Sequence, residues 1–372
     1  MKRKKVGLTF LSNYKQWAGG VIYILNIIHA LKLLDDDQKP ELYIYHHADS
    51  PIEDIKEIGY PYIKFFPVNT APPFWIKYMN YASLLVFKKP LLAAQLADVI
   101  YPDFHLLSYG RKALHWIPDL QHYYLPQMSS EQEVRSHLKY HHSISRKEDV
   151  IVFSSEDAMK SFRKFYPDHK CSLRLLRFAS TVPEPASDNI KSVLDKYELY
   201  VPYFMAPNQF WKHKNHGVVI KAIALLKKTH LHFKVVFTGS QNDHRNKEYF
   251  TELKNLIISE QLEPYIQFLG FIDRKEQLTL MNNAIAIVQP SLFEGWSTVV
   301  EDAKAINQHI ILSDLNVHRE QANQNCRFFD PHNPQELAKI MEQTLRHKPV
   351  RIYNDYSQNV KQFAEHFIKA IA

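Results

Sequence analysis

Twelve short apolar runs rich in Val, Ile, Phe and Tyr punctuate the 372 residues, with apolar-periodic helical segments between several of them. They fall at 6–11, 41–47, 62–66, 98–101, 113–117, 150–154, 172–178, 201–206, 233–238, 266–269, 284–288 and 309–313. Runs of this length and β-branched content are the size of buried strands. Strands alternating with helices imply parallel sheets covered on both faces, an α/β architecture. The length suits two or three domains, each with its own core. A breaker-rich segment, Ser180-Thr-Val-Pro-Glu-Pro-Ala-Ser-Asp188, marks a linker. The expected division is 1–180, a linker at 181–199, a second domain at 200–350 and a closing helix within 351–372.

One unit concentrates chemistry. The run at 284–288 leads into Pro290-Ser291-Leu292-Phe293-Glu294-Gly295-Trp296-Ser297-Thr298-Val299-Val300-Glu301-Asp302. Pro290 and Gly295 break the strand; Ser297 or Thr298 can cap a helix that runs to about Ile306, with Asn307 as a left-handed stop. A helix start offers free N–H groups and a positive dipole end, which suits a phosphate. Carboxylates do not bind phosphate but accept hydrogen bonds from hydroxyls. Glu294, Glu301 and Asp302 around an anion site therefore suggest a ligand carrying both phosphates and sugars. Glu301 also fits a capping box with Thr298.

Three further stretches bear on the same chemistry. Lys212 and Lys214 lie between the run at 201–206 and a helix at 218–226, where they can hold an anion. His122 follows a strand end at Pro118, in the region where α/β sheets place ligands. Gly19-Gly20 reads as a loop between the first strand and a helix at 21–34, either a close approach to a ligand or a tight turn.

The segment 290–305 resembles the donor-binding motif of retaining glycosyltransferases of the family 4 type, the glycosyl transferases group 1, which have the GT-B fold. The resemblance implies two Rossmann-like doubly wound domains facing a deep cleft, with the last helix crossing back to the first domain. In that family two acids with seven residues between them flank a Gly-rich turn. Glu294 and Asp302 have that spacing, with Asp where the family usually has Glu; Glu301, one residue short of it, is the alternative second acid. The resemblance implies that Glu294 orients the donor sugar, that Asp302 holds the ribose, and that Gly295, Trp296, Ser297 and Thr298 meet the diphosphate. Lys214 matches the family Lys that pairs with the diphosphate. A preceding family Arg is missing: Asn208 or Gln209 occupies its neighbourhood, and Lys212 is the alternative source of charge. His122 matches the family's Pro-Asp-x-x-His run and approaches the donor sugar. The resemblance further implies that Gly270, Phe271 and Ile272 receive the nucleobase, and that Gly19 and Gly20 lie near the donor phosphates or the acceptor.

The implied reaction moves a sugar from a nucleotide-diphosphate sugar to a saccharide or lipid-linked acceptor with retention, without cofactor or metal. Rival readings are a non-transferring enzyme of the same fold (an epimerase or phosphorylase) and a catalytically silent partner subunit. The His213-x-x-His216 pair has no acidic or thiol company and is not expected to hold a metal. The charge narrows the partners. Of a net +7, residues 1–180 carry +6, from 24 Lys+Arg against 18 Asp+Glu. No nucleic-acid motif accompanies this surplus, which leaves an anionic membrane, a phosphorylated acceptor or an ordinary solvated basic face. The stretch 74–97, rich in aromatics with Lys77, Lys88 and Lys89, reads as core helices broken at Pro90 or as a membrane-surface element. No stretch approaches the ~18 apolar residues of a membrane span. Two distant Cys residues make no disulfide framework. The expected location is cytoplasmic, at the inner face of the membrane if peripheral.

Overall fold

The structure, a computed structural model, describes residues 3–10, 14–68, 83, 97–103, 114–182, 190–243, 245–322 and 324–372. Most of the 74–97 stretch and residues 183–189 of the linker lie outside the described residues. The chain divides into two compact units. The first comprises Met1–Leu120, Ser136–Ala179 and Ser357–Ala372, and the second comprises Gln121–Arg135 and Ser180–Tyr356. The division differs from the expected one: residues 121–135 group with the second unit, and the closing helix, Ser357–Ala370, starts later.

In the first unit β1 (Lys5–Phe10), β2 (Glu41–His46), β3 (Ile63–Pro67) and β4 (Val99–Tyr101) form a parallel sheet in the order β3-β2-β1-β4. β5 (Leu114–Ile117), β6 (Val150–Phe153) and β7 (Ser172–Leu175) form a second parallel set. The closing helix docks on this unit through rings. Tyr23 lies 4.0 Å from Trp116 in a stacked pair and 6.3 Å from Phe363. Lys4 Nζ donates to the carbonyl of Ile371 at 2.7 Å.

Gly19 and Gly20 correct the sequence reading. They sit inside the helix Tyr14–Lys32, which is interrupted at Trp17. A Cβ on Gly20 would fall 2.4 Å from Cε3 of Trp17, whose ring stacks on Trp116 at 5.3 Å. Packing of an indole, not a turn, accounts for this glycine.

The second unit explains itself by alternation. β8 (Tyr203–Pro207), β9 (Lys234–Thr238), β10 (Ile266–Gly270), β11 (Ala286–Gln289), β12 (Ile310–Ser313) and β13 (Cys326–Phe329) form one parallel sheet in the order β10-β9-β8-β11-β12-β13. Successive strand residues point to opposite faces. Phe204 and Ala206 join one core with the helices His216–Leu226, Tyr249–Ser259 and Pro334–Arg346. Tyr203 and Met205 join the other with Ile190–Lys196, Arg274–Asn283 and Thr298–Ala305. Each large apolar side chain so buried contributes about 1.5–3 kcal/mol. The short helix Ile190–Lys196 falls within the expected linker, and β13 lies outside the twelve apolar runs.

The strand order places a topological switch point between β8 and β11, because the chain winds outward from β8 to β10 and then returns to β8's other side. Ligands of open α/β sheets bind beyond the carboxyl ends of the strands at such a point. Gly239, just after β9, holds two loops of this edge together. Its N–H donates to the carbonyl of Gly270 at 2.7 Å, its φ is +114°, and an added Cβ would lie 2.5 Å from the carbonyl oxygen of Asn208. Gly239→Ala is expected to cost about 2–3 kcal/mol. For a domain of this size a melt should register that as a Tm drop of roughly 4–12 °C.

Candidate functional site

The loops after β8 and β11 meet at the switch point and bring sequence-distant groups together. After β8 the chain passes Asn208 and makes a tight turn at Lys212–Lys214. Asn215, at φ 56°, then starts the helix His216–Leu226. The Asn215 side chain donates to the carbonyls of Pro290 at 3.1 Å and Pro331 at 2.8 Å, and Leu292 N–H donates to the carbonyl of His213 at 2.8 Å. These bonds fasten the lysine loop to the acidic loop. Lys214 Nζ lies 2.7 Å from Glu294 Oε1, with side-chain exposures of 16% and 8%.

Gln289, the last residue of β11, is fully buried and organises the rest. Its Oε1 accepts from Asn208 Nδ2 at 2.8 Å. Its Nε2 donates to Glu294 Oε1 at 2.7 Å and lies 3.2 Å from Ser291 Oγ and Ser297 Oγ. Ser291 Oγ donates to the same Oε1 at 2.7 Å. One oxygen of Glu294 is thus saturated by Lys214, Gln289 and Ser291, and Oε2 carries no hydrogen bond from the described residues. Burial pushes the Glu294 carboxyl up. The Lys214 charge, His318 and the donated bonds from Lys214 and Ser291 outweigh burial and hold it below the usual carboxylate range. His318 is itself fully buried, its Nδ1 2.8 Å from the carbonyl of Ser313, and burial holds its pKa below the usual imidazole value.

The helix start follows directly. Ser297 is the N-cap, its Oγ accepting from Val300 N–H at 3.4 Å. Thr298 is therefore the first helical residue, and its N–H and that of Val299 have no intrahelical acceptor. The capping box expected of Thr298 and Glu301 is not made. Glu301 instead accepts from Gln321 Nε2 at 2.9 Å, from Lys304 Nζ at 2.8 Å and from the Tyr356 hydroxyl. The box fails because the cap falls one residue earlier, which carries Glu301 beyond reach of the helix start. Asp302 is 1% exposed; its Oδ1 accepts from Ser180 Oγ at 2.6 Å and Arg274 Nη2 at 2.5 Å. Both acids of the pair are thus engaged by the protein.

His122 lies in the short helix Gln121–Tyr124 of the same unit, and Tyr124 stacks on Phe293 at 5.6 Å. That contact brings the His122 segment to the Glu294 loop. Gly270 ends β10, Phe271 is 58% exposed, and Ile272 packs against the core before Asp273 caps the helix Arg274–Asn283. Trp296 is buried with Lys304 Nζ 6.0 Å from its ring, and Gly295 is buried beside it. Lys212 is exposed, and its side chain makes no ion pair with the described residues. Gly19 and Gly20 belong to the other unit. His213 and His216 are core groups: His216 stacks on Phe210 at 4.2 Å, and burial lowers its pKa to about 3.

Gln289, Ser291, His318 and Gln321 escaped the sequence reading. Gln289 had one usable signal, a polar residue closing an otherwise apolar buried run.

Residues 195–363 match the family described as Glycosyl transferases group 1. The match covers just under half of the chain. A curated relative, the O-antigen chain mannosyltransferase RfbU of Salmonella typhimurium, is 26% identical over 144 residues. The aligned part spans 38% of either chain. Anabaena Alr3699/HepE, solved in complex with UDP and glucose, superposes with a TM-score of 0.70 at 14% identity, covering 99% of this chain and 96% of its own. WaaG, a glycosyltransferase involved in lipopolysaccharide biosynthesis, gives 0.63 at 13% identity, covering 97% and 95%. These likenesses establish the GT-B fold. No helix among the described residues is long and apolar enough to cross a membrane.

The ion pair sets an acid limb. Because the folded pKa of Glu294 lies below its unfolded value, its contribution is complete above about pH 4.5 and is lost as pH falls through the folded value. Glu294→Gln should cost about 2–3 kcal/mol at neutral pH by leaving Lys214 without its counter-ion. Tm measured from pH 7 to pH 3 should fall less steeply in this variant than in the parent below pH about 4.5.

Proposed function

We propose that this protein is a retaining glycosyltransferase that moves a hexosyl group from a nucleoside diphosphate sugar to an acceptor hydroxyl. The observation that carries the proposal is the half-used Glu294: Oε1 is saturated by the protein, and Oε2 is left to accept from a sugar hydroxyl. Beside it stand the two remaining donors of the Lys214 ammonium and the N–H groups of Thr298 and Val299. An acceptor for hydroxyls next to donors for an anion is what a sugar diphosphate requires.

In the proposed reaction the bond from the anomeric carbon to the diphosphate oxygen breaks, and the bond to the acceptor oxygen forms on the same face. The acceptor proton passes to the departing diphosphate, so no protein nucleophile takes part. Lys214 and the helix start at Ser297 stabilise the charge that develops on the leaving group. Glu294 Oε2 orients the sugar, and His122 borders it. Asp302, whose Oδ1 is held by Ser180 and Arg274, is the acid that the resemblance assigns to the ribose. Charge neutralisation by the chain's own cations supports a metal-independent reaction. The likeness to the Salmonella O-antigen chain mannosyltransferase, to HepE in complex with UDP and glucose, and to WaaG of lipopolysaccharide biosynthesis supports a nucleotide-sugar donor and a saccharide or glycolipid acceptor in surface polysaccharide assembly. The basic surplus of the first half supports attraction to an anionic membrane surface.

A thermal-shift panel of UDP, GDP, dTDP, ADP and their sugars, with and without chelator, tests the donor site. A ligand at a hundred times its Kd stabilises by about 2.7 kcal/mol. One nucleotide series should raise Tm equally with chelator present. With that donor, Lys214→Ala should lower the transfer rate by about 10²–10³ while the fold persists; an unchanged rate would remove Lys214 from the mechanism.

A further inference from the structure

We propose that Arg245 supplies the second cation of the donor-diphosphate site. The inference rests on the donor reading above and assigns a residue that lies outside the motif positions. In the neighbourhood where the resembled family carries an Arg, this chain has Asn208 and Gln209, both neutral, and Asn208 is committed to Gln289. Lys212 is exposed on a flexible stem. Departure of a diphosphate develops charge on several oxygens, which a single half-paired ammonium covers poorly.

Arg245 lies in the loop after β9, the strand beside β8, at the same carboxyl end of the sheet. It is held from two sides. Asp243 Oδ1 accepts from Arg245 Nε at 3.1 Å and from its N–H at 3.0 Å. Asp243 Oδ2 accepts from the N–H of Lys212 at 3.3 Å, so one carboxylate ties the guanidinium to the loop that carries Lys214. The guanidinium also lies 4.7 Å over the ring of Trp211 in that loop. Burial holds the His213 pKa well below the usual imidazole value, and the charges of Lys214 and Arg245 add to that lowering.

What separates Arg245 from a structural arginine is its Nη2. The side chain is 12% exposed, yet Nη2 is buried with no acceptor. Buried donors without partners are rare and unfavourable. Asp243 occupies the Nε side of the planar fork, and the Nη2 side remains for a phosphate oxygen. The geometry is that of a prepositioned anion clamp: a charged donor, locked by an acid behind it and an indole beneath it, awaiting an acceptor.

The test compares the responding nucleoside diphosphate with its parent nucleoside in the wild-type chain, R245Q and R245K, by calorimetry. R245Q should bind the diphosphate at least about tenfold more weakly and the nucleoside within about twofold of wild type. R245K, which keeps the charge but not the fork, should fall between the two for the diphosphate and serves as the folded variant if R245Q is unstable. Equal diphosphate affinity in wild type and variants overturns the inference, and so does a parallel loss for diphosphate and nucleoside, which marks a purely structural role. No binding of any nucleotide by the wild-type chain overturns the donor reading itself and this inference with it.

Discussion

The Lys214–Glu294 ion pair is the contact on which the candidate site depends. It joins two loops 80 residues apart in sequence, and it does so at the switch point of a doubly wound sheet. A largely buried pair stabilises only if its remaining lone pairs and protons are satisfied. Gln289 and Ser291 meet that demand for one carboxylate oxygen and leave the other open. The same arrangement that makes the pair tolerable in the interior makes it usable, since a half-satisfied carboxylate and an ammonium with two donors left present an acceptor and donors side by side.

Around this pair the polar groups form a graded network. Asn208 orients Gln289, Gln289 reaches Glu294 and approaches the Ser297 cap, and Gln321 binds Ser297 from behind through its N–H and its carbonyl. The helix start is fixed by side chains on both sides, so its free N–H groups are held in one place before any ligand arrives. Preorganised donors lose no reorganisation energy when charge develops, which is why such sites favour the leaving of an anion. Glu301 and Asp302, one turn further, are bound by Lys304, Tyr356, Arg274 and Ser180. These contacts pack the helix into the unit and leave the acids engaged.

The strands were legible along the chain because their apolar runs are short, β-branched and bounded by breakers. β13 was the exception: Cys326–Phe329 carries an Arg and lies at the sheet edge, so its pattern is that of a half-exposed strand. Gly19-Gly20 misled for the opposite reason. Adjacent glycines signal backbone freedom, but here the demand comes from the Trp17 ring, a contact three residues back that only packing reveals. The capping box failed on a single-residue shift, since Ser297 and Thr298 are equally good caps in isolation.

By itself the sequence determined the α/β alternation, the strand–loop–helix unit at 286–305 and the presence of a basic loop and an acidic loop, because these rest on local pattern and residue type. Tertiary structure alone decided which oxygen of Glu294 stays open, that Gln289 and His318 belong to the site, that Tyr124 docks on Phe293, and that Arg245 lies on the ligand end of the sheet. Those facts depend on which strands become neighbours. Strand order follows from long-range burial, and a linear pattern carries no record of it.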